Sequence, residues 1–279
     1  MSTFRNMTCN MTRNKKRFTR AAWPLLALSF VPAHAAINVS SPAFTYGQTF
    51  DTLSASGAAN TWADDSTLPG WSLVNSIGAS VPTYATDNTT NTGGFRSFGD
   101  TGSSERAFGG VASGGAYFGA PASGAVAGWI AVAFSNGTGA ALNGFNVAFN
   151  GEQWRNGGNT SAQTMVLEYG YGASFGSVTS WAAPGGSFDF TSPVIGATAS
   201  AVAGNSAGLV SGLGGGISSN WAAGDTLWLR WVERNDIGND HGLAIDNLSF
   251  SVSAVPEPGA MALWLAGLGT VGFVARRRN

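Results

Sequence analysis

The sequence predicts an all-β protein, an antiparallel β-sandwich of jelly-roll-like type, and three observations carry that prediction. Glycine occupies 40 of 279 positions and charged residues only 10%, a composition poor in the Glu, Lys and Leu that long helices require. Apolar residues alternate with period two in several short runs, the spacing of a half-buried strand. No stretch joins helical periodicity to capping residues.

In chain order, the strand candidates are residues 44–50, 117–118, 129–134, 144–150, 165–171, 187–191, 226–232 and 243–252. Phe145, Val147 and Phe149 would share one face, and Met165, Leu167, Tyr169 and Tyr171 repeat the pattern. Between the runs lie turn-rich pieces: Asn136-Gly137-Thr138-Gly139, Asn156-Gly157-Gly158-Asn159, Pro184-Gly185-Gly186 and Gly214-Gly215-Gly216. Neither the glycines nor the tryptophans recur at a fixed period, so a solenoid is not indicated. The expected organisation is one sandwich domain at 36–254, flanked by end segments at 1–35 and 255–279.

The first end segment has the form of a secretory signal. Arg13, Lys15, Lys16, Arg17 and Arg20 precede an apolar run at 21–30, and Ala33-His34-Ala35 supplies the small residues that signal peptidase accepts. The expectation is a signal helix cleaved before Ala36. Cys9, the only cysteine, would leave with it, so the exported body would have no disulfide.

The second end segment reads Pro256-Glu257-Pro258, then an uncharged span at 259–275, then Arg276-Arg277-Arg278. As a helix the span would just cross a bilayer, with the arginines held on the cytoplasmic side. The order of proline motif, span and arginine cluster resembles the PEP-CTERM sorting signal of Gram-negative bacteria. That resemblance implies a single transmembrane helix anchored transiently in the inner membrane. It also implies an exosortase as processing partner, and release to the cell surface or the exopolysaccharide matrix of a biofilm.

The body also resembles an uncharacterised domain of secreted bacterial surface proteins. The likeness is carried by the stretches 48–53, 68–71, 102–107, 151–159, 227–231 and 240–247. It implies a fold class and a setting, and no reaction.

Charge narrows the partners. Between 37 and 255 there are five arginines against fourteen carboxylates, a net of −9, which excludes a nucleic-acid binder because phosphate contacts need a basic face. Cations and neutral polysaccharide remain. Zinc is excluded by a ligand set of one body histidine, His241, and no cysteine.

Gly172-Ala173-Ser174-Phe175-Gly176 matches a nucleophile elbow, but the glycine and serine content generates that match by chance. Glu105, Glu152, Glu168 and Glu233 are the acids from which a glycoside hydrolase would draw a carboxylate pair. Their plainer reading is as ion pairs or hydrogen-bonded loop anchors. Asp236, Asn239 and Asp240 crowd one loop with oxygen atoms, which suits calcium or, more simply, an Asx-turned hairpin. Likeness to carbohydrate-binding jelly rolls with a structural calcium implies Asp51 and Asp246 as its ligands. Trp62 and Trp154 are the tryptophans best placed to stand exposed for sugar stacking, although core packing is the favoured reading for any single one. The functional expectation is a non-catalytic surface or matrix protein with carbohydrate-binding character. A secreted hydrolase and a purely structural or adhesive protein are the alternatives.

Overall fold

A computed structural model of the chain describes residues 35–86 and 89–254, and strands account for most of its regular structure. The first seven are β1 (Ile37–Val39), β2 (Thr45–Gln48), β3 (Asn60–Thr61), β4 (Trp71–Asn75), β5 (Thr83–Tyr84), β6 (Gly94–Phe98) and β7 (Ala107–Val111). The long strands follow: β8 (Val126–Asn136), β9 (Leu142–Asn156) and β10 (Thr164–Tyr171). The last five are β11 (Phe190–Thr191), β12 (Ser200–Ala201), β13 (Leu209–Trp221), β14 (Thr226–Arg234) and β15 (Gly242–Ala254). Helical structure among the described residues is limited to single 3₁₀ turns such as Ala116–Phe118 and Phe175–Ser177. The all-β expectation is met. The expected signal and membrane helices lie outside the described residues, and no helix within them is long and apolar enough to cross a membrane.

One sheet has the order β1-β8-β14-β10-β11, with β4 also on β8; the other runs β12-β9-β15-β7-β6, with β13 on β9 and β2 on β15. A two-stranded ribbon pairs β3 with β5. Pairing is antiparallel except for β1, which runs parallel to β8. Alternation does what the sequence implied along β9: Phe145, Val147 and Phe149 are buried while Asn146 and Ala148 are exposed.

The buried faces of the two sheets meet in one core. Phe134 of β8 stacks on Phe250 of β15 at 3.9 Å, and Phe149 of β9 meets Trp231 of β14 edge-on at 5.5 Å. Trp71 of β4 stacks on Trp231 at 6.0 Å, so aromatic area supplies much of the apolar burial that holds the body together.

Three local expectations are corrected. Tyr117 and Phe118 sit in a 3₁₀ turn, because Gly115 and Gly119 bracket them too tightly for a strand. Of 187–191 only Phe190 and Thr191 are strand. Gly214-Gly215-Gly216 is not a turn but the middle of β13, paired with Ala148, Val147 and Asn146. At Gly214, where φ is +111°, a Cβ would lie 2.0 Å from the Val147 carbonyl oxygen, so glycine is there to let two backbones touch.

Candidate functional site

The site grows out of a break in one sheet edge. Residues Gly242 to Ile245 of β15 pair with β7, and Leu248 to Ser251 pair with β2, which leaves Asp246 and Asn247 between the two partners. Asn247 takes a left-handed conformation, φ 51°, and the β9 register slips between Asp246 and Ser249. This bulge carries one extra residue and so keeps Ile245, Leu248 and Phe250 all facing the core. Asp246 falls on the opposite, outer face.

The chain leaving β2 turns sharply at Phe50. Its φ of 59° is costly for a bulky residue. Its surroundings impose it: the Phe50 N–H donates to the Gln48 side-chain oxygen at 2.7 Å, and the ring packs edge-on against Trp71 at 5.0 Å. Asp51 follows, and its Oδ1 accepts the backbone N–H of Arg106 at 2.9 Å. The segment entering β7 is thereby pinned beside the break, which delivers Glu105 to it.

Glu152 comes from β9, opposite Ala244. Single carboxylate oxygens of Glu105, Glu152 and Asp246 all lie within 4.8 Å of one another. A neutral donor also binds one oxygen of each group. Asn205 Nδ2 donates to Glu105 Oε2 at 2.6 Å, Trp154 Nε1 to Glu152 Oε2 at 2.9 Å, and Asn247 Nδ2 to Asp246 Oδ2 at 2.7 Å. Glu105 Oε1 and Asp246 Oδ1 are buried and receive no hydrogen bond. The guanidinium of Arg106 turns to the hydroxyl and carbonyl of Ser97 instead.

Loops roof the cluster. Phe98 and Trp154 stack in parallel at 6.5 Å and form a small apolar cluster with Ala107, Val111 and Ala244. Gly204 lies so close over the Trp154 indole that a Cβ there would come within 2.1 Å of it. Burial raises Glu152 to about 7; the indole hydrogen bond partly offsets this, and the charges of Asp246 and Glu105 add to it. Asp246 is likewise raised to about 7, by burial first, with Glu105 and Asp51 adding repulsion. The arrangement is an all-oxygen set of hard donors, crowded and mostly dry.

Asp51 lies close enough to Asp246 to add repulsion, but its carboxylate accepts the Arg106 N–H, and the converging oxygens come from Glu105, Glu152 and Asp246. Asp236, Asn239 and Asp240 lie outside the cluster. Asp240 Oδ1 accepts the Asp236 N–H at 2.7 Å, and the Asn239 carbonyl accepts from both Asn159 and Gln163, as in a hydrogen-bonded hairpin. Burial raises Asp240 to about 7; the Asp236 N–H it accepts partly offsets this and the Asp236 charge adds a little, while Glu233, fully enclosed opposite Gly110, is raised by burial to about 8.

Trp62 and Trp154, the candidates for sugar stacking, are 3% and 0% exposed, so both take the core reading. Trp62 stacks on Phe108 at 5.2 Å and donates to Asp64, so neither ring has a face for a sugar. Among the described residues Glu168 pairs with Arg230 at 2.5 Å, with Arg230 lying 3.7 Å over the Trp181 ring. Ser174 begins a 3₁₀ turn and is no nucleophile elbow. His241 is a buried acceptor: its Nδ1 takes the Gly157 N–H at 3.0 Å, and burial lowers its pKa.

Glu105 and Glu152 were visible as acids but not as partners. One signal for the site was legible in Glu152-Gln153-Trp154, because residues two apart on a strand share a face and an indole N–H seeks an acceptor.

Beyond the body, a family model described as the PEP-CTERM protein-sorting motif matches residues 254–278. The chain carries a PEP-CTERM sorting motif. Such a motif marks an exosortase-sorted extracellular protein of a Gram-negative bacterium, and the match begins at the last residue of β15. No curated protein and no solved structure matches the chain.

Proposed function

We propose that the chain is an exported, non-catalytic protein of the cell surface or exopolysaccharide matrix, its body a jelly-roll-like β-sandwich. The observation that carries this reading is the sorting motif at 254–278, placed directly after the final strand of an otherwise complete sheet. In this reading signal peptidase removes residues 1–35, the inner membrane holds the tail transiently, and exosortase separates it from the body. The sandwich assignment is supported by side chains of both sheets meeting in one core.

Burial weighs against the hydrolase alternative. A glycosidase needs two carboxylates that a sugar and a water can reach. Glu152 and Asp246 are 1% and 2% exposed beneath loops, and Glu168 is tied to Arg230. A structural or adhesive role is preferred to sugar binding because both proposed stacking tryptophans are in the core.

Fractionation of the native host, with mass spectrometry of the C-terminal peptide, tests the reading. The expected result is surface or secreted protein lacking the Arg276–Arg278 cluster, and retention of the intact tail when the exosortase is deleted. An intact tail in the inner membrane of the unmodified host overturns it.

A further inference from the structure

We propose that Glu105, Glu152 and Asp246 hold a divalent cation, calcium by chemistry, in the break between β2 and β7. The inference is independent of the tail and of the sorting pathway.

The first ground is convergence. If three oxygens lie no more than 4.8 Å apart, a point exists at most about 2.8 Å from each, close to the oxygen distances calcium adopts. The second is an unanswered acceptor. Asp246 is 2% exposed, and its buried Oδ1 has no hydrogen-bond donor, as is also true of Glu105 Oε1. Buried polar atoms are nearly always satisfied, and two in one cluster call for a shared positive partner. The third is how the oxygens are held. Asn205 and Asn247 bind Glu105 Oε2 and Asp246 Oδ2, which leaves the buried Oε1 and Oδ1 for another partner, and Trp154 fixes Glu152 through Oε2.

Ligand type chooses the ion. Three carboxylates with no imidazole or thiolate select a hard cation over zinc. A three-carboxylate set in a site this enclosed suits calcium better than magnesium, which keeps several waters and demands octahedral geometry. Asp51 adds a fourth negative charge nearby. Binding would join the segment before β7 to β9 and β15, across the point where the sheet edge is interrupted.

The test uses the full-length protein in detergent, stripped with EDTA and titrated with calcium chloride at pH 7.5, with magnesium chloride as a parallel arm. Saturating calcium is expected to raise the melting midpoint by roughly 5 °C or more, reversibly with EDTA, and magnesium to do markedly less. Glu152→Gln and Asp246→Asn should abolish the rise while circular dichroism retains the β spectrum. Should either variant not fold, two readouts remain. Glu105→Gln, in the partly exposed segment, should weaken the response, and terbium bound to the unmodified protein should emit on tryptophan excitation because Trp154 touches Glu152. A midpoint unmoved by calcium together with no sensitised terbium emission overturns the proposal. So does a calcium response that survives intact in all folded variants, which would put the ion elsewhere.

Discussion

Trp154 donates its indole N–H to Glu152, two residues earlier on the same strand, at 2.9 Å. This bond opposes the rise that burial imposes on the carboxyl. Trp154→Phe keeps an aromatic ring against Phe98 but removes the donor. The expected outcome is a loss of about 1–3 kcal/mol in urea unfolding, with Glu152 titrating higher still by carboxyl NMR. An unchanged Glu152 titration would show that the bond does not matter.

Stability without divalent cations should fall as pH rises from about 4 to about 7. Glu152 and Asp246 have folded pKa values above their unfolded ones, so the folded state binds more protons in that window and loses its advantage as they leave. Besides each other, the charged groups acting on them are Glu105 and Asp51. Glu233 and Asp240 slope the same way. Calcium should cancel only the part that Glu152→Gln and Asp246→Asn also remove. Melting midpoints across pH, with and without calcium, check this.

His241 acts with the opposite sign. Its folded pKa is lowered, so the unfolded chain binds more protons below the ordinary imidazole value, and stability is lost as pH falls through that range. His241→Ala should cost about 1–3 kcal/mol at pH 7.5 by leaving the Gly157 N–H without its acceptor, and should flatten the acid limb of the profile.

Trp62→Ala should cost about 3–5 kcal/mol, the figure for a buried aromatic, and glycan-array signals should be the same before and after. A selective loss of glycan binding with stability unchanged would return Trp62 to the surface role its sequence context advertised.

Gly214→Ala should unpair β13 from β9, because the added methyl meets the Val147 carbonyl at 2.0 Å and the backbone is left-handed. A loss of about 2–4 kcal/mol is expected by denaturant unfolding.

The legible parts of the fold were those that periodicity reports. Phe145, Val147 and Phe149 announced β9, and the run containing Trp228 and Trp231 announced β14. β13 was hidden because its glycines read as a turn, whereas backbone contact requires them. β6 and β7 were hidden because all five residues of each are buried, which erases alternation. At the site, Asp51 and Asp246 were suggested by likeness to calcium-bearing jelly rolls, and of the two only Asp246 supplies a converging oxygen. Glu105 and Glu152 were not legible as partners, because their meeting depends on where β2 and β7 divide one edge of β15. Trp62 and Trp154 stood out as candidates for exposure because polar residues flank them, but the acids Asp64 and Glu152 are acceptors for their buried indole N–H groups.

β15 is the last strand of the body and lies between β9 on one side and β7 and β2 on the other. A chain that crosses the membrane N-terminus first delivers this strand last. Until residue 254 emerges, the seven-stranded sheet is three unjoined pieces, β12-β9-β13, β7-β6 and β2, with open edges, and the sorting motif starts at that same residue. Completion of the sheet and arrival of the tail thus coincide in time. A chain truncated before β15 would lack both the strand that joins the pieces of this sheet and the sorting motif.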